Sequence, residues 1–245
     1  MAEVRDAFRD ECARLGEVLR TLEPADLDRP TGCPPWTVAD LLAHVHTGAA
    51  RLAGMLAAPA PARARVDAAG YFDATKFSPE VDAARVEAAR VEAVRVEAVE
   101  AGVRVGPPEH RRASGPGLAA DFERAWRATL AAVDAHSPDR VVRTRHGDAM
   151  TTTQFLRTRV VEVGVHGLDL AAALGRPPWL TPAAGRVIAD LLTGGRALPA
   201  ELGWDRLTLI AKATGRTAGS PAEQATLDAA GIRLLRFGRQ PTKLS

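Results

Sequence analysis

The chain has 245 residues, of which 46% are apolar and only 4% aromatic, and its formal net charge is +2 at pH 7. That length supports one large domain or one domain with a small appendage, and an alanine-rich, aromatic-poor composition favours close-packed helices over a β-sandwich. The near-balance of charge gives no reason to expect a nucleic-acid or acidic-membrane partner, and no apolar run approaches the roughly 20 residues of a membrane span.

The N-terminal stretch M-A-E-V-R-D-A-F-R-D-E-C is charged and amphipathic and lacks the apolar segment of a secretory signal. The two cysteines, Cys12 and Cys33, make neither a disulfide framework nor a C-x-x-C pair, so the expected compartment is a reducing cytoplasm. Abundant arginine and alanine suggest a high-GC bacterial coding bias.

Val4, Phe8, Leu15, Leu19 and Leu22 recur near helical spacing and predict a first helix over about Val4 to Leu22. Pro24, Pro30, Gly32, Pro34 and Pro35 then force a loop. Thr37, with Asp40 three residues on, reads as a helix N-cap, and a second helix is expected over about Val38 to Leu56, ended by Pro59 and Pro61. Residues from about 62 to 116 are atypical. R-V-E-A-A, R-V-E-A-V, R-V-E-A-V from Arg85 to Val99 repeats every five residues, a period that neither helix nor strand keeps on one face. This segment reads as a peripheral low-complexity insert with a solvated surface.

A third helix is expected over about Leu118 to His136, with Phe122, Trp126, Leu130 and Val133 on one face. Val141 to Met150 reads as an exposed connection. A fourth helix runs from about Thr152 to Leu174 and is ended by Gly175 and Pro177. Four helices of this length make a bundle. The tail, 176–245, is expected to hold a helix near Ala183 to Leu192, a strand-like R-L-T-L-I-A, a short helix near Ala222 to Ala229, and I-R-L-L-R-F. The domains are then a helical bundle over 1–175 and a small C-terminal α/β appendage over 176–245.

The fourth helix carries R-V-V-E-V-G-V-H-G-L-D-L. Glu162 and His166 are four residues apart and share a face with Arg159 and Asp169. A carboxylate and an imidazole one turn apart can chelate a divalent cation from one side. Such a pair more often lies on a surface, but Val160, Val161, Val163, Val165 and Leu168 surround it here. A helix buried nearly all round must give its polar groups partners. The candidate partner is His44, on or near the Val38 and Leu41 face of the second helix. Two histidines and one glutamate leave open positions on a metal, the arrangement of a catalytic rather than a structural site. His46 points elsewhere, and His110, His136 and His146 read as surface residues. Cys33 lies close to Trp36 in the loop before the second helix; it could line the pocket mouth, but a buried or idle thiol is the preferred reading. Neither cysteine falls on the metal-bearing faces.

P-W-T-V-A-D-L-L-A-H-V followed far downstream by R-V-V-E-V-G-V-H-G-L-D-L-A-A-A-L-G resembles the mycothiol-dependent maleylpyruvate isomerase family of DinB-like metal-binding bundles. The first motif matches at Trp36, Asp40 and His44; the second matches at Glu162, His166, Gly167, Asp169 and Gly175. The tail, with A-T-G-R at Ala213 to Arg216 and L-L-R-F-G at Leu234 to Gly238, resembles the family only loosely.

The resemblance implies a divalent metal, zinc by expectation, on His44, Glu162 and His166. It also implies a small thiol, mycothiol in actinobacteria, as cosubstrate. Coordination would remove the thiol proton and fix a thiolate, which attacks an electrophilic small molecule. Adding to a conjugated cis double bond, allowing rotation and leaving gives an isomerase; staying attached gives an S-transferase. Arg159 and Asp169 are the catalytic candidates: Asp169, one turn beyond His166, can accept from a ligand imidazole or hold Arg159. Arg216 and Trp36 are the candidates for binding the cosubstrate. Arg159 and Arg216 suit carboxylate recognition, unless Arg159 pairs internally with Glu162 or Asp169 and Arg216 is solvated. A hydrolase or lyase using metal-bound water, a non-catalytic small-molecule-binding protein on the same fold, and a monomeric or homodimeric state all remain open.

Overall fold

The structure, a computed structural model, describes residues 1–72 and 115–237. The five-residue repeat, His110 and Gly238 lie outside the described residues.

Helix α1, Ala2–Arg20, buries Val4, Phe8, Leu15 and Leu19, the apolar stripe of the sequence pattern. One-turn helix α2, Pro24–Leu27, occupies part of the stretch expected to be loop. Proline suits that first turn because its missing N–H has no helical partner there, and Glu23 and Asp26 cap it reciprocally. Helix α3, Val38–Ala57, starts at the expected capping box: Asp40 N donates to Thr37 Oγ1 at 3.3 Å and Thr37 N to the Asp40 carboxylate at 3.0 Å. Short α4, Ala68–Tyr71, follows, and then α5, Gly115–Asp134. Helix α6, Thr152–Leu174, matches its expected bounds residue for residue. Thr151 caps its start, and Gly175 ends it with φ of 65°, a left-handed conformation that glycine adopts without a Cβ penalty.

Helices α1, α3, α5 and α6 form the bundle, with α1 and α3 each packing against both α5 and α6. Where α5 begins, the chains approach so closely that a Cβ on Gly115 would sit 2.5 Å from the Leu19 carbonyl oxygen. The tail adds α7, Pro182–Thr193, a 3-10 turn at Ala200–Leu202, α8, Arg206–Ala213, and α9, Pro221–Ala229. Helix α7 packs on α1 and α6, and α8 packs on α7. One continuous apolar core therefore runs from Phe8, Leu52 and Phe155 to Ile188 and Ile210. Buried Glu11 joins α1 to the start of α7, accepting from Thr181 N at 2.8 Å and Thr181 Oγ1 at 2.6 Å. Desolvation raises its carboxyl pKa against the pull of those bonds.

The fold is mainly α, as expected, but several local expectations need correction. Val141 to Met150 is not an exposed connection: β1, Val141–Arg143, and β2, Ala149–Thr151, form an antiparallel hairpin. Its paired Val142 and Met150 are buried. The R-L-T-L-I-A segment is helical, because Asp205 caps α8 by accepting from Thr208 N at 2.7 Å and Leu209 and Ile210 bury together. Six residues of mixed apolar pattern do not distinguish the two periods. The I-R-L-L-R-F segment joins no sheet among the described residues. Its backbone instead donates from Leu235 N to Leu192 O at 2.8 Å. Among the described residues no helix is long and apolar enough to cross a membrane.

Candidate metal centre

The site lies where α3 faces α6. The loop between α2 and α3 closes its edge. Arg29 Nη1 donates to Leu174 O at 3.2 Å, which pins the loop to the end of α6. Within the loop Thr31 Oγ1 donates to Trp36 O at 2.8 Å, Cys33 N donates to Thr31 Oγ1 at 3.1 Å, and the Pro34–Pro35 peptide is cis. This tight folding brings Cys33 and Trp36 to the site.

His44 from α3 reaches Glu162 of α6, with Nε2 directly on Oε1. His166 Nε2 lies 3.5 Å from the same oxygen, and the two imidazoles meet edge to face with centroids 5.2 Å apart. One ligand atom from each of the three lies within 4.8 Å of the others. The Trp36 ring packs on His44 at 4.8 Å. On the far side of His166, Asp169 accepts from Nδ1 at 2.9 Å. Arg216 holds the same carboxylate with Nε, at 2.7 Å, and Nη2, and the Cys33 thiol donates to it at 3.5 Å. Arg159 is buried, 5% exposed. Its Nε donates to Thr158 Oγ1 at 3.2 Å, and Nη2 comes no nearer to Glu162 Oε2 than 3.9 Å.

Charge in this cluster is strongly redistributed. Burial opposes ionisation of Glu162, yet His44, His166 and Arg159 together hold its pKa well below the usual carboxylate range. Burial lowers His44, and Glu162 only partly offsets it. His166 is also desolvated, but acceptance of its proton by Asp169, with contributions from Cys33 and Glu162, raises it well above an ordinary imidazole. The two imidazoles diverge because His166 has a carboxylate at each ring nitrogen and His44 has one. Asp169 is itself held low against its burial by His166 and Arg216.

The structure thus brings His44, Glu162, His166, Asp169, Arg159, Arg216 and Trp36 into one locality. Arg216 is not solvated: its turn folds onto the bundle and the guanidinium reaches Asp169. His46 faces Phe122 instead, with centroids 6.3 Å apart, and His136 caps its own helix end through Ala132 O at 2.7 Å. The expectation for Cys33 needs correction. It is not idle, because the folded loop turns its thiol onto Asp169 and, with His166, into a second group of possible ligand atoms. Proximity to Trp36 in sequence was the only signal for this.

Two imidazole nitrogens and a carboxylate oxygen converging from two helices fit a divalent ion. Asp169 accepts the hydrogen bond from His166 Nδ1–H, which leaves Nε2, on the Glu162 side, as the nitrogen that would bind the ion once it gives up its own proton. The second group, Cys33, His166 and Asp169, fits less well, because Arg216 already occupies Asp169 and repels a cation.

A family model for the mycothiol maleylpyruvate isomerase N-terminal domain matches residues 8–171. The chain belongs to this family. Its matched region contains Trp36, His44, Glu162, His166 and Asp169, and Arg216 lies beyond it. Among solved structures, the crystal structure of the mycothiol-dependent maleylpyruvate isomerase is similar at 18% identity and a TM-score of 0.49, over 78% of this chain and 69% of that one. No curated protein sequence matches the chain.

Proposed function

We propose that this member of the maleylpyruvate isomerase family is a metal-dependent enzyme that uses mycothiol as cosubstrate against an electrophilic small molecule, in the cytoplasm. The observation that carries the proposal is the convergence of His44, Glu162 and His166 from two helices, each still partly exposed, in a chain of this family. Zinc is the expected ion for this nitrogen and oxygen donor set. The bundle helices α1, α3, α5 and α6 would hold it, and the tail that begins at residue 176 supplies the turn that contributes Arg216.

A divalent ion held there supplies the positive charge that lets a small thiol give up its proton near neutral pH. The residues around it do the rest. Asp169 keeps the His166 proton on Nδ1, and Arg216 keeps Asp169 ionised and oriented. Trp36, packed on His44, forms the rim past which the thiol enters. Arg159 places a guanidinium beside Glu162 to meet negative charge that develops on the electrophile. The thiolate adds its electron pair to a conjugated cis double bond, the resulting single bond rotates, and expulsion of the same thiolate restores the trans double bond. Retention of the new carbon–sulfur bond, with a proton taken up at the neighbouring carbon, gives an S-transferase on the same site.

The test is the dependence of turnover on thiol. Metal-loaded protein is incubated with mycothiol and a panel of electrophiles, maleylpyruvate among them. Product should form in proportion to thiol and not without it, and His44→Ala should remove the activity. Full turnover in a thiol-free preparation would favour a hydrolase or lyase.

A further inference from the structure

We propose that Arg51 is a specificity-determining residue that, with Arg159, binds a carboxylate of the electrophile beside the metal triad; this rests on the reading of that triad as the reaction site. Three observations lead there. The first is placement. His44, Gly48 and Arg51 follow one another at i, i+4 and i+7 on α3, so they share a face. A Cβ on Gly48 would lie 3.2 Å from Arg159 Nη1 and 3.5 Å from Glu162 Cγ. Arg159 therefore crosses α3 at the bare backbone of Gly48, between the metal ligand His44 and Arg51.

The second is the lack of partners. Arg159 is 95% buried by its 5% exposure, yet its Nη atoms make no hydrogen bond among the described residues; the Glu162 carboxylate stands off at 3.9 Å. Arg51 is half-buried and has no hydrogen bond or ion pair among the described residues. Buried cations are ordinarily paired. Here Arg51 and Arg159 share Glu162 as a counter-charge, and that carboxylate already serves His44 and His166. Burial and these like charges press the Arg51 guanidinium below its usual range.

The third is shape. The face of the Arg159 guanidinium is covered by the Phe155 ring at 4.8 Å and the Tyr71 ring at 5.9 Å. Its remaining donors lie along the edge. A planar acceptor with two oxygens suits an in-plane fork, and a second arginine can take the outer lone pairs. A carboxylate meets both requirements, and a neutral amide meets neither.

Binding of maleate, as a probe dicarboxylate, is measured by calorimetry on metal-stripped and metal-loaded protein, beside its neutral diamide and beside mycothiol. On the metal-stripped protein maleate should bind more tightly than the diamide. Arg51→Gln should weaken maleate about tenfold or more, as loss of a charge-assisted bond implies. Arg51→Lys, which keeps the charge without the fork, should fall between. Mycothiol binding to the metal-loaded variants should be unchanged. Equal maleate affinity in wild type and both variants, no preference over the diamide, or a loss confined to mycothiol would each overturn the assignment. The metal-stripped arm uses no thiol and no turnover, so it reads out independently of whether the thiol-dependent reaction is correct.

Discussion

Replacing Asp169 by asparagine changes one atom and should cost the site its metal affinity. The native carboxylate accepts three kinds of donor at once: His166 Nδ1 at 2.9 Å, the Arg216 fork, and the Cys33 thiol. An asparagine offers one acceptor oxygen and an NH2 group that cannot accept. If the oxygen stays with Arg216, the amide NH2 faces His166 Nδ1. The imidazole then moves its proton to Nε2, the nitrogen aimed at Glu162, and loses the lone pair a metal needs. If the oxygen turns to His166, Arg216 loses its counter-charge. Loss of such a supporting carboxylate typically lowers metal affinity by about 10–100-fold, or about 1.4–2.7 kcal/mol. The metal-stripped fold should lose about 1.5–3 kcal/mol with the charge-assisted bond, toward the lower end because the Arg216 side chain is 25% exposed. Competition with a chromophoric chelator measures the first quantity, and denaturant unfolding of the stripped protein the second. Wild-type metal affinity in Asp169→Asn would refute the argument that Asp169 sets the His166 tautomer.

Gly115→Ala should destabilise the fold by about 1–3 kcal/mol, because the new Cβ meets the Leu19 and Leu22 carbonyl oxygens at 2.5 and 2.7 Å; an unchanged midpoint in urea would show that the α1–α5 approach relaxes freely. The metal-stripped protein should become less stable as pH rises above about 6.5. His166 is raised in the folded state, so its contribution is complete below the unfolded pKa and is lost as pH climbs through the folded one. Glu162 and Asp169, both depressed, contribute above the unfolded carboxylate range and lose that contribution on acidification. His44, lowered by burial, destabilises the fold as pH falls below the unfolded value of about 6.5, so it adds to the acid-side loss and does not oppose His166 above that pH. Thermal melts with chelator should therefore fall as pH rises above about 6.5, and His166→Asn should flatten the slope; a melting temperature that rises there in the wild type would contradict the signs.

The long helices were legible because each carries a repeated apolar stripe and an explicit end signal. Thr37 with Asp40 starts α3, and Gly175 ends α6. The metal-ligand candidates were legible because Glu162 and His166 share a helical face that valines enclose, and His44 needed only the fold to bring it across. What failed depended on partners distant in sequence. The hairpin is three residues a side and acquires its burial from the bundle. Helix α8 has too few residues for a period and relies on Asp205 and on packing. Cys33 could not be assigned because a proline-rich loop has no face until Arg29 anchors it to Leu174. Glu11 likewise reads as one more charge on α1 until Thr181 arrives from 170 residues away. Arg51 was hidden for the same reason: its role follows from Gly48, whose missing side chain matters only once Arg159 lies across it.

Elemental analysis of the purified wild type, beside His44→Ala, Glu162→Ala and His46→Ala, tests the metal centre most directly. About one divalent ion per chain is expected in the wild type and in His46→Ala, and little or none in the other two. An ion content that survives His44→Ala and Glu162→Ala would contradict the assignment of these side chains as ligands.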